Sequence, residues 1–175
     1  MQFHESFDKR HTDVPRYSKF DADERFREDA AGAAAVKTVI DFLVSPSAKT
    51  PTINHLAAQR EIRLYEESDG REHAGITKAA NLYRLRSWPC NWSGIDDLNA
   101  MANLRRALNT APFLTLVHED FNPENRLKLV VIVGMTARHI HYHDTHKSSE
   151  ELECEVTHKN FLRGWKRKVV LVGRC

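Results

Sequence analysis

The sequence contains little cysteine and no long apolar run. Only three cysteines, Cys90, Cys154 and Cys175, occur among its 175 residues. Because they are widely spaced and odd in number, they match neither a disulfide framework nor a zinc-binding pair, and we expect reduced thiols. No apolar stretch approaches the ~20 residues that a membrane-spanning helix needs. These absences exclude a disulfide-stapled scaffold and a transmembrane protein.

An excess of charge of either sign is also missing. The 26 Lys and Arg residues nearly balance the 24 Asp and Glu residues, which leaves a net charge of +2. This balance gives no electrostatic reason to expect binding to nucleic acid or to an anionic membrane. The N-terminal stretch MQFHESFDKRHTD lacks the apolar core of a secretory signal. We therefore expect a cytoplasmic protein, with signal-independent secretion as an effector as the alternative.

Helical patterns occupy the first part of the chain. Apolar residues recur at helical spacing over about 32–43 and predict a first helix with one buried face. Further helical patterns cover 52–67, 77–86 and 93–108. The segment 87–94, SWPCNWSG, is rich in aromatic and turn residues and is predicted to be a loop.

Strand patterns dominate the second part of the chain. Runs rich in β-branched residues predict strands at 113–118, 127–133, 139–143 and 169–172. Helices followed by strands indicate an α+β fold. We assign a helical lobe to about 14–110 and a sheet lobe to about 111–175, preceded by a mobile arm over residues 1–13.

Five short motifs follow one another along the chain. They are VPRYSK at 14–19, DAAGAA at 29–34, KLVVIVG at 128–134, HYHDT at 141–145, and VTHKNF at 156–161 followed by Trp165. In this order they resemble the motifs of papain-like cysteine peptidases, and they are similar to those of the bacterial group that contains bacteriocin-leader-processing peptidases, their stand-alone relatives and a plant-pathogen effector peptidase. The resemblance implies one papain-like domain over 14–175, with an N-terminal helical half packed on a C-terminal antiparallel β-sheet.

The same resemblance assigns four catalytic positions. In the family, a cysteine at the start of the first helix is the nucleophile, a histidine is its base, an aspartate orients that histidine, and a glutamine binds the oxyanion. The matched positions here are Ala31, Lys128, Asp144 and Lys19. Thiol chemistry needs a thiolate, a base and an oxyanion donor, and an engineered Cys-to-Ala exchange would not explain the two lysines. We therefore predict a catalytically inactive relative that binds a peptide or protein segment in the former substrate groove.

The sequence leaves several alternatives open. Lys128 pairs with Asp144 in a structural salt bridge, or it forms an anion pocket with Lys19 and backbone N–H groups. The groove is lined by Trp88, Cys90 and Trp92 together with both lysines. The competing interpretations are a cysteine peptidase or acyltransferase whose nucleophile was engineered away or relocated to Cys90, an effector or immunity-type interaction protein, and an unrelated α+β domain.

Three histidines alternate along one predicted strand. His139, His141 and His143 project from the same face of 139–143, and Ile140 and Tyr142 from the other. Three imidazoles at this spacing, with His146 or Asp144 beyond them, are suitable ligands for zinc. The alternative is a solvated strand face opposite a core face. We expect no other cofactor, and the sequence does not predict the oligomeric state.

Overall fold

In the part of the chain that the structure describes, six α-helices precede or flank the sheet. The computed structural model describes residues 8–44 and 49–174. Side-chain oxygens of Thr52, Asp96 and Thr157 accept a backbone N–H from the first turn of the helix that follows each of them, which fixes three of the helix starts. The helices are α1 Ala30–Leu43, α2 Ile53–Ala57, α3 Arg60–Glu67, α4 Ala74–Asn81, α5 Asp97–Leu108 and α6 His158–Gly164.

Seven strands lie within the described residues. They are β1 Lys9–Arg10, β2 Leu85–Asn91, β3 Phe113–His118, β4 Leu127–Met135, β5 His139–His143, β6 Glu153–Thr157 and β7 Trp165–Arg174. They form one antiparallel sheet in the order β2-β7-β3-β4-β5-β6, and β1 pairs with the far end of β4. The sequence order differs from the spatial order, because β7, the last described strand, lies between β2 and β3.

Helices cover both faces of the sheet. Helices α1 to α4 pack on one face, against Leu129 and Val131 of β4. Helices α5 and α6 pack on the other face, against Val130 and Ile132 of the same strand. Because both sets of alternating side chains are buried, residues 129–133 of β4 form an unbroken apolar run. The observed mixture of helices and antiparallel strands confirms the predicted α+β class.

The first helix fits its neighbours because it begins with small residues. From Ala30 to Ala35 every side chain of α1 is buried, and the apolar face continues through Val39 and Ile40. Such small side chains let α1 lie close to α2, α3 and the sheet. A second close approach joins α3 to α4, where a Cβ atom on Gly75 would lie 2.4 Å from the backbone of Glu61.

Several element boundaries differ from the sequence prediction. The helix predicted over 52–67 is two helices, because the chain turns between α2 and α3 at Ala58 and Gln59. The predicted loop at 87–94 is wrong for most of its length, since residues up to Asn91 belong to β2. Its proline is tolerated because β2 is an edge strand. Thus β2 joins the sheet and α5 covers its opposite face, although both fall within the predicted helical lobe.

The start of the chain is partly ordered by the sheet. Lys9 and Arg10, which the sequence prediction placed in a mobile arm, pair with Met135 and Gly134 of β4. Residues 1–7 of that arm lie outside the described residues. Among the helices over residues 8–44 and 49–174, none combines the length and apolar character needed to cross a lipid bilayer.

Candidate functional site

The start of α1 meets the end of β5 at the candidate site. Ala31 occupies the second position of α1, and its carbonyl oxygen accepts a 2.8 Å hydrogen bond from the Oγ1 hydroxyl of Thr145. Thr145 follows Asp144 directly, so the predicted nucleophile position and the predicted orienting carboxylate lie next to each other. The sequence motifs therefore brought together residues that are 113 positions apart in the chain.

Lys128 and Asp144 form a buried ion pair. The Lys128 Nζ lies 2.6 Å from Asp144 Oδ2, and Asp144 Oδ1 accepts the backbone N–H of His146 at 3.2 Å. The salt bridge expected from the sequence is thus present. Ala31 is 3%, Lys128 7% and Asp144 1% exposed, so these groups and Thr145 form a closed base to the site, which we call the floor.

Lys19 belongs to the same site through its backbone. Its N–H donates to the carbonyl oxygen of Thr145 at 2.9 Å, whereas its ammonium group lies 5.2 Å from the centre of the Phe20 ring. Because Asp144 already holds the Lys128 ammonium, the two lysines do not form the anion pocket that was the alternative to a salt bridge. Lys19 remains half-buried at the edge of the floor.

Glu66 lies at this site although no sequence signal pointed to it. Its Oε1 accepts the backbone N–H of Leu129 at 2.7 Å, and the same oxygen would be 3.9 Å from a Cβ atom on Gly32. The carboxyl group therefore sits between the first turn of α1 and the first residues of β4. Burial raises the pKa of Glu66 to about 7, while the Leu129 N–H and the charge of Arg126 act in the opposite direction.

His146 is the second titratable group beside the floor. Burial lowers its pKa, the Asp144 charge raises it, and the charges of Lys128, Lys19 and Arg126 lower it further. The Nε2 atom is buried and has no hydrogen-bond partner among the described residues. Together, Lys19, Glu66, Arg126 and His146 surround the floor with half-buried or exposed side chains, and we call these four residues the rim.

The aromatic residues of the predicted groove lie elsewhere. Trp88 and Cys90 are on β2, which two strands, β7 and β3, separate from β4 and Lys128. The indole ring of Trp92 packs edge-to-face on that of Trp165, with centroids 5.9 Å apart. A groove lined by all five predicted residues is therefore not present. The prediction of this groove is wrong because it placed β2 in a loop next to the helices, whereas β2 is an edge strand of the sheet.

Trp88 borders a different opening. It is 45% exposed and belongs to a cavity of about 290 Å³ between the sheet edge and the end of α5. Cys90 shows no sign of an activated nucleophile. Burial raises the pKa of its thiol, which is the opposite of the shift that a reactive cysteine requires.

The three histidines of β5 do not form the predicted zinc site. They share one face, as the alternation implied, and the described residues contain no group of three or more His, Cys, Asp or Glu side chains placed to hold a metal ion. The alternative of a solvated face is also wrong for His143, which is 2% exposed. Burial lowers the pKa of His143 to about 4, and Arg16 and Arg10 act in the same direction, whereas Glu153 raises it.

Comparison with known proteins gives structural matches only. No family model matches the sequence, and no curated protein matches it. The fold is similar to that of a putative C39-like peptidase from Bacillus anthracis, with a TM-score of 0.67, 11% identity, and coverage of 94% of this chain and 96% of the other.

Two further solved structures resemble the chain. The peptidase domain of Streptococcus ComA, a bifunctional ABC transporter involved in quorum sensing, has a TM-score of 0.56 at 14% identity, covering 85% of this chain and 93% of its own. A double glycine motif protease from an AMS/PCAT transporter, solved in complex with the leader peptide, has a TM-score of 0.56 at 14% identity, covering 97% and 99%. The chain thus has the fold of the C39-like, papain-like peptidase domains.

Proposed function

We propose that this protein is an inactive relative of the papain-like peptidases that binds a peptide or protein segment over the former catalytic site. The observation that carries the proposal is the buried Lys128–Asp144 ion pair beside Ala31. A lysine ammonium that is held by a carboxylate does not accept a proton at neutral pH, and a methyl group has no lone pair with which to attack a carbonyl. Removal of a nucleophile alone typically costs on the order of a millionfold in rate.

Binding needs a different set of features, and the rim has them. The floor is closed, but Lys19, Glu66, Arg126 and His146 offer ionisable groups at its border. An extended peptide is held by backbone hydrogen bonds and a few side-chain contacts, none of which requires a thiolate. The structural likeness to a double glycine motif protease in complex with a leader peptide supports a peptide as the ligand.

A selection from a random peptide library tests the proposal. A phage-displayed library of 12-residue peptides is panned on the intact chain, and enriched peptides are measured by fluorescence anisotropy. We expect binding to weaken about tenfold or more in Arg126→Glu, which reverses an exposed rim charge, and to be unchanged in Arg138→Glu. Arg138 is the matched control, because it is also an exposed arginine and lies in the β4–β5 turn.

Two results would overturn the proposal. One is the absence of any peptide that is enriched and binds the purified chain. The other is cleavage of a bound peptide by the natural chain, and equal cleavage by Lys128→Ala would then mean catalysis by residues other than the matched ones. Mass spectrometry of each enriched peptide after overnight incubation checks the second point.

A further inference from the structure

The carboxyl group of Glu66, at the rim, has no ion-pair partner among the described residues. It is half-buried at the C-terminal end of α3, and no described Lys or Arg forms an ion pair with it. One oxygen, Oε1, is fixed by the N–H of Leu129. The pairing of β5 with β4 ends at Val131 and His143. Leu129 lies just beyond this end, so its N–H bonds the Glu66 side chain instead of a neighbouring strand.

Three cations on the elements beside Glu66 pair with other carboxylates, and the Lys19 ammonium lies over the Phe20 ring. The Arg126 guanidinium lies 3.1 Å from a carboxylate oxygen of Glu119, and the Lys128 ammonium is held by Asp144. Arg63, one turn before Glu66 on α3, bonds Asp29. Each of these three cations therefore already has a carboxylate partner, whereas Glu66 has no ion-pair partner among the described residues.

We propose that Glu66 binds a cationic group of the peptide ligand: the side chain of an arginine or lysine, or a free N-terminal ammonium. This inference rests on the proposed function, because it assigns a recognition role to one residue of the same rim. A charged hydrogen-bond donor stabilises a partly desolvated carboxylate more than it stabilises a fully solvated carboxylate. The fixed Oε1 also orients the group, so that Oε2 is the oxygen left to accept from the ligand.

Replacement of Glu66 by glutamine removes the charge and keeps the shape. The amide oxygen of Glu66→Gln still accepts the N–H of Leu129, and a thermal melt checks that the fold is retained. The matched control is Glu67→Gln, the exposed neighbouring residue, whose nearest contact with a cation is 3.9 Å from Arg63. We expect the enriched peptides to bind Glu66→Gln about tenfold more weakly and Glu67→Gln with unchanged affinity.

Neutralised peptides identify which cation is bound. The enriched peptides are remade with citrulline for arginine, norleucine for lysine, or an acetylated N-terminus. One of these peptide modifications should weaken binding to the natural chain about tenfold and have no further effect on binding to Glu66→Gln. The reason is that the peptide modification and the Glu66→Gln substitution remove the same contact. The change that shows this coupling distinguishes a side chain from a terminal amine.

The pH dependence of binding gives an independent readout. The charged groups that reach the Glu66 carboxyl are Arg126 and Glu67, and the Leu129 N–H contacts it directly. A cationic peptide binds the ionised carboxylate, so its affinity should rise between about pH 6 and pH 7.5 in the natural chain and stay flat in Glu66→Gln. A structural role for Glu66 would not produce this change.

The outcomes separate this inference from the proposed function. Peptides that bind at the rim but carry no cation, or that bind Glu66→Gln as well as the natural chain, overturn the role of Glu66 and leave the binding proposal standing. Failure of the library to yield any binder overturns the binding proposal itself.

Discussion

At the scale of single residues, the floor balances the charge of a buried carboxylate. The Lys128 ammonium lies against Asp144, where the family resemblance implies an imidazole against a carboxylate. A buried carboxylate without a partner costs several kcal/mol, so Asp144 needs a cation beside it, and Lys128 supplies that cation. Thr145, the residue after Asp144, donates its hydroxyl to the backbone carbonyl of Ala31. This contact between the floor and α1 therefore does not depend on the side chain at position 31.

Introducing a cysteine at position 31 and a histidine at position 128 is expected to give a poorly reactive thiol. In Ala31→Cys/Lys128→His, the Glu66 carboxyl lies beside the adjacent Gly32, and its negative charge opposes formation of a thiolate. Adding Glu66→Gln should lower the pKa of the new thiol by about one unit and raise its alkylation rate at neutral pH about tenfold. Peptide mapping by mass spectrometry after timed treatment with iodoacetamide measures the rate at this position alone.

Glu67→Gln in the same background serves as the control for the loss of one negative charge from α3. Equal alkylation rates for the Glu66 and Glu67 variants would show that the Glu66 carboxyl exerts no field on the start of α1.

The residues of the site were only partly predictable. The floor followed from motif spacing, because Asp144 and Lys128 sit in short segments that resemble a known pattern. Glu66 and its place at the rim could not be found in this way. Its neighbours, Gly32 and Leu129, come from two distant elements, and nothing in the local pattern of α3 distinguishes Glu66 from the adjacent Glu67. Only the tertiary approach of α3 to β4 gives it a role.

At the scale of elements, the lack of a side chain at Gly164 lets α6 pack closely against the backbone of Phe121. A Cβ atom on Gly164 would lie 2.3 Å from the Cα of Phe121, and the Arg163 Nε donates to the Phe121 carbonyl at 3.1 Å. The backbone at Asp120 and Phe121 has φ values of 53° and 52°, a left-handed conformation that non-glycine residues adopt at a cost. The close approach of α6 therefore helps to maintain a strained turn next to the sheet.

Gly164→Ala should destabilise the protein by about 3 kcal/mol, since backbone rather than a flexible side chain blocks the new methyl group. Urea denaturation followed by tryptophan fluorescence measures the loss. Gly94→Ala is the control, because a Cβ atom there meets nothing within 4 Å, and its effect should stay within about 0.5 kcal/mol. Similar losses for both variants would mean that the contact with Phe121 relaxes easily.

Elements with strong periodicity were predicted well, and edge elements were not. Strands β3 and β5 match their predicted bounds, and β4 extends two residues further, because β-branched runs in the centre of a sheet carry a clear signal. β2 contains Pro89 and polar residues that only an edge position tolerates, so its sequence resembles a loop. β6 alternates between exposed and half-buried residues and is too polar for its pattern to stand out.

At the scale of the whole molecule, two buried titratable groups act on stability in opposite directions. His143 has a pKa of about 4 in the folded protein, below its ordinary value of 6.5. The unfolded chain therefore binds the proton more tightly, and stability decreases as the pH falls from about 6.5 to 4. Glu66 has a pKa of about 7, above its ordinary 4.5, so stability decreases as the pH rises from about 4.5 to 7.

Single substitutions should expose each contribution. In Glu66→Gln, His143 is the one of these two groups that still titrates. Its free energy of unfolding should therefore increase by about 2 kcal/mol between pH 4.5 and pH 6.5, relative to His143→Gln/Glu66→Gln. In His143→Gln, the free energy of unfolding should decrease over the same range relative to the same double variant. For half-buried Glu66 we expect a decrease of about 1 kcal/mol, because solvent screens part of the effect. Urea denaturation at several pH values measures these differences.

The comparison with the double variant removes the contribution of the other carboxylates, which titrate in the same range in all three proteins. Parallel pH profiles for the three variants would contradict the burial of both groups.

The position of β7 has a consequence for synthesis on the ribosome. β7 supplies the hydrogen-bonding partner for β2 on one side and for β3 on the other, yet more than forty residues separate it from the end of either strand. A nascent chain that stops before Trp165 leaves β2 without a neighbour and β3 with one bare edge. Such a chain is prone to pair with other nascent chains. Folding of this sheet is therefore expected to finish only after translation has passed Arg174.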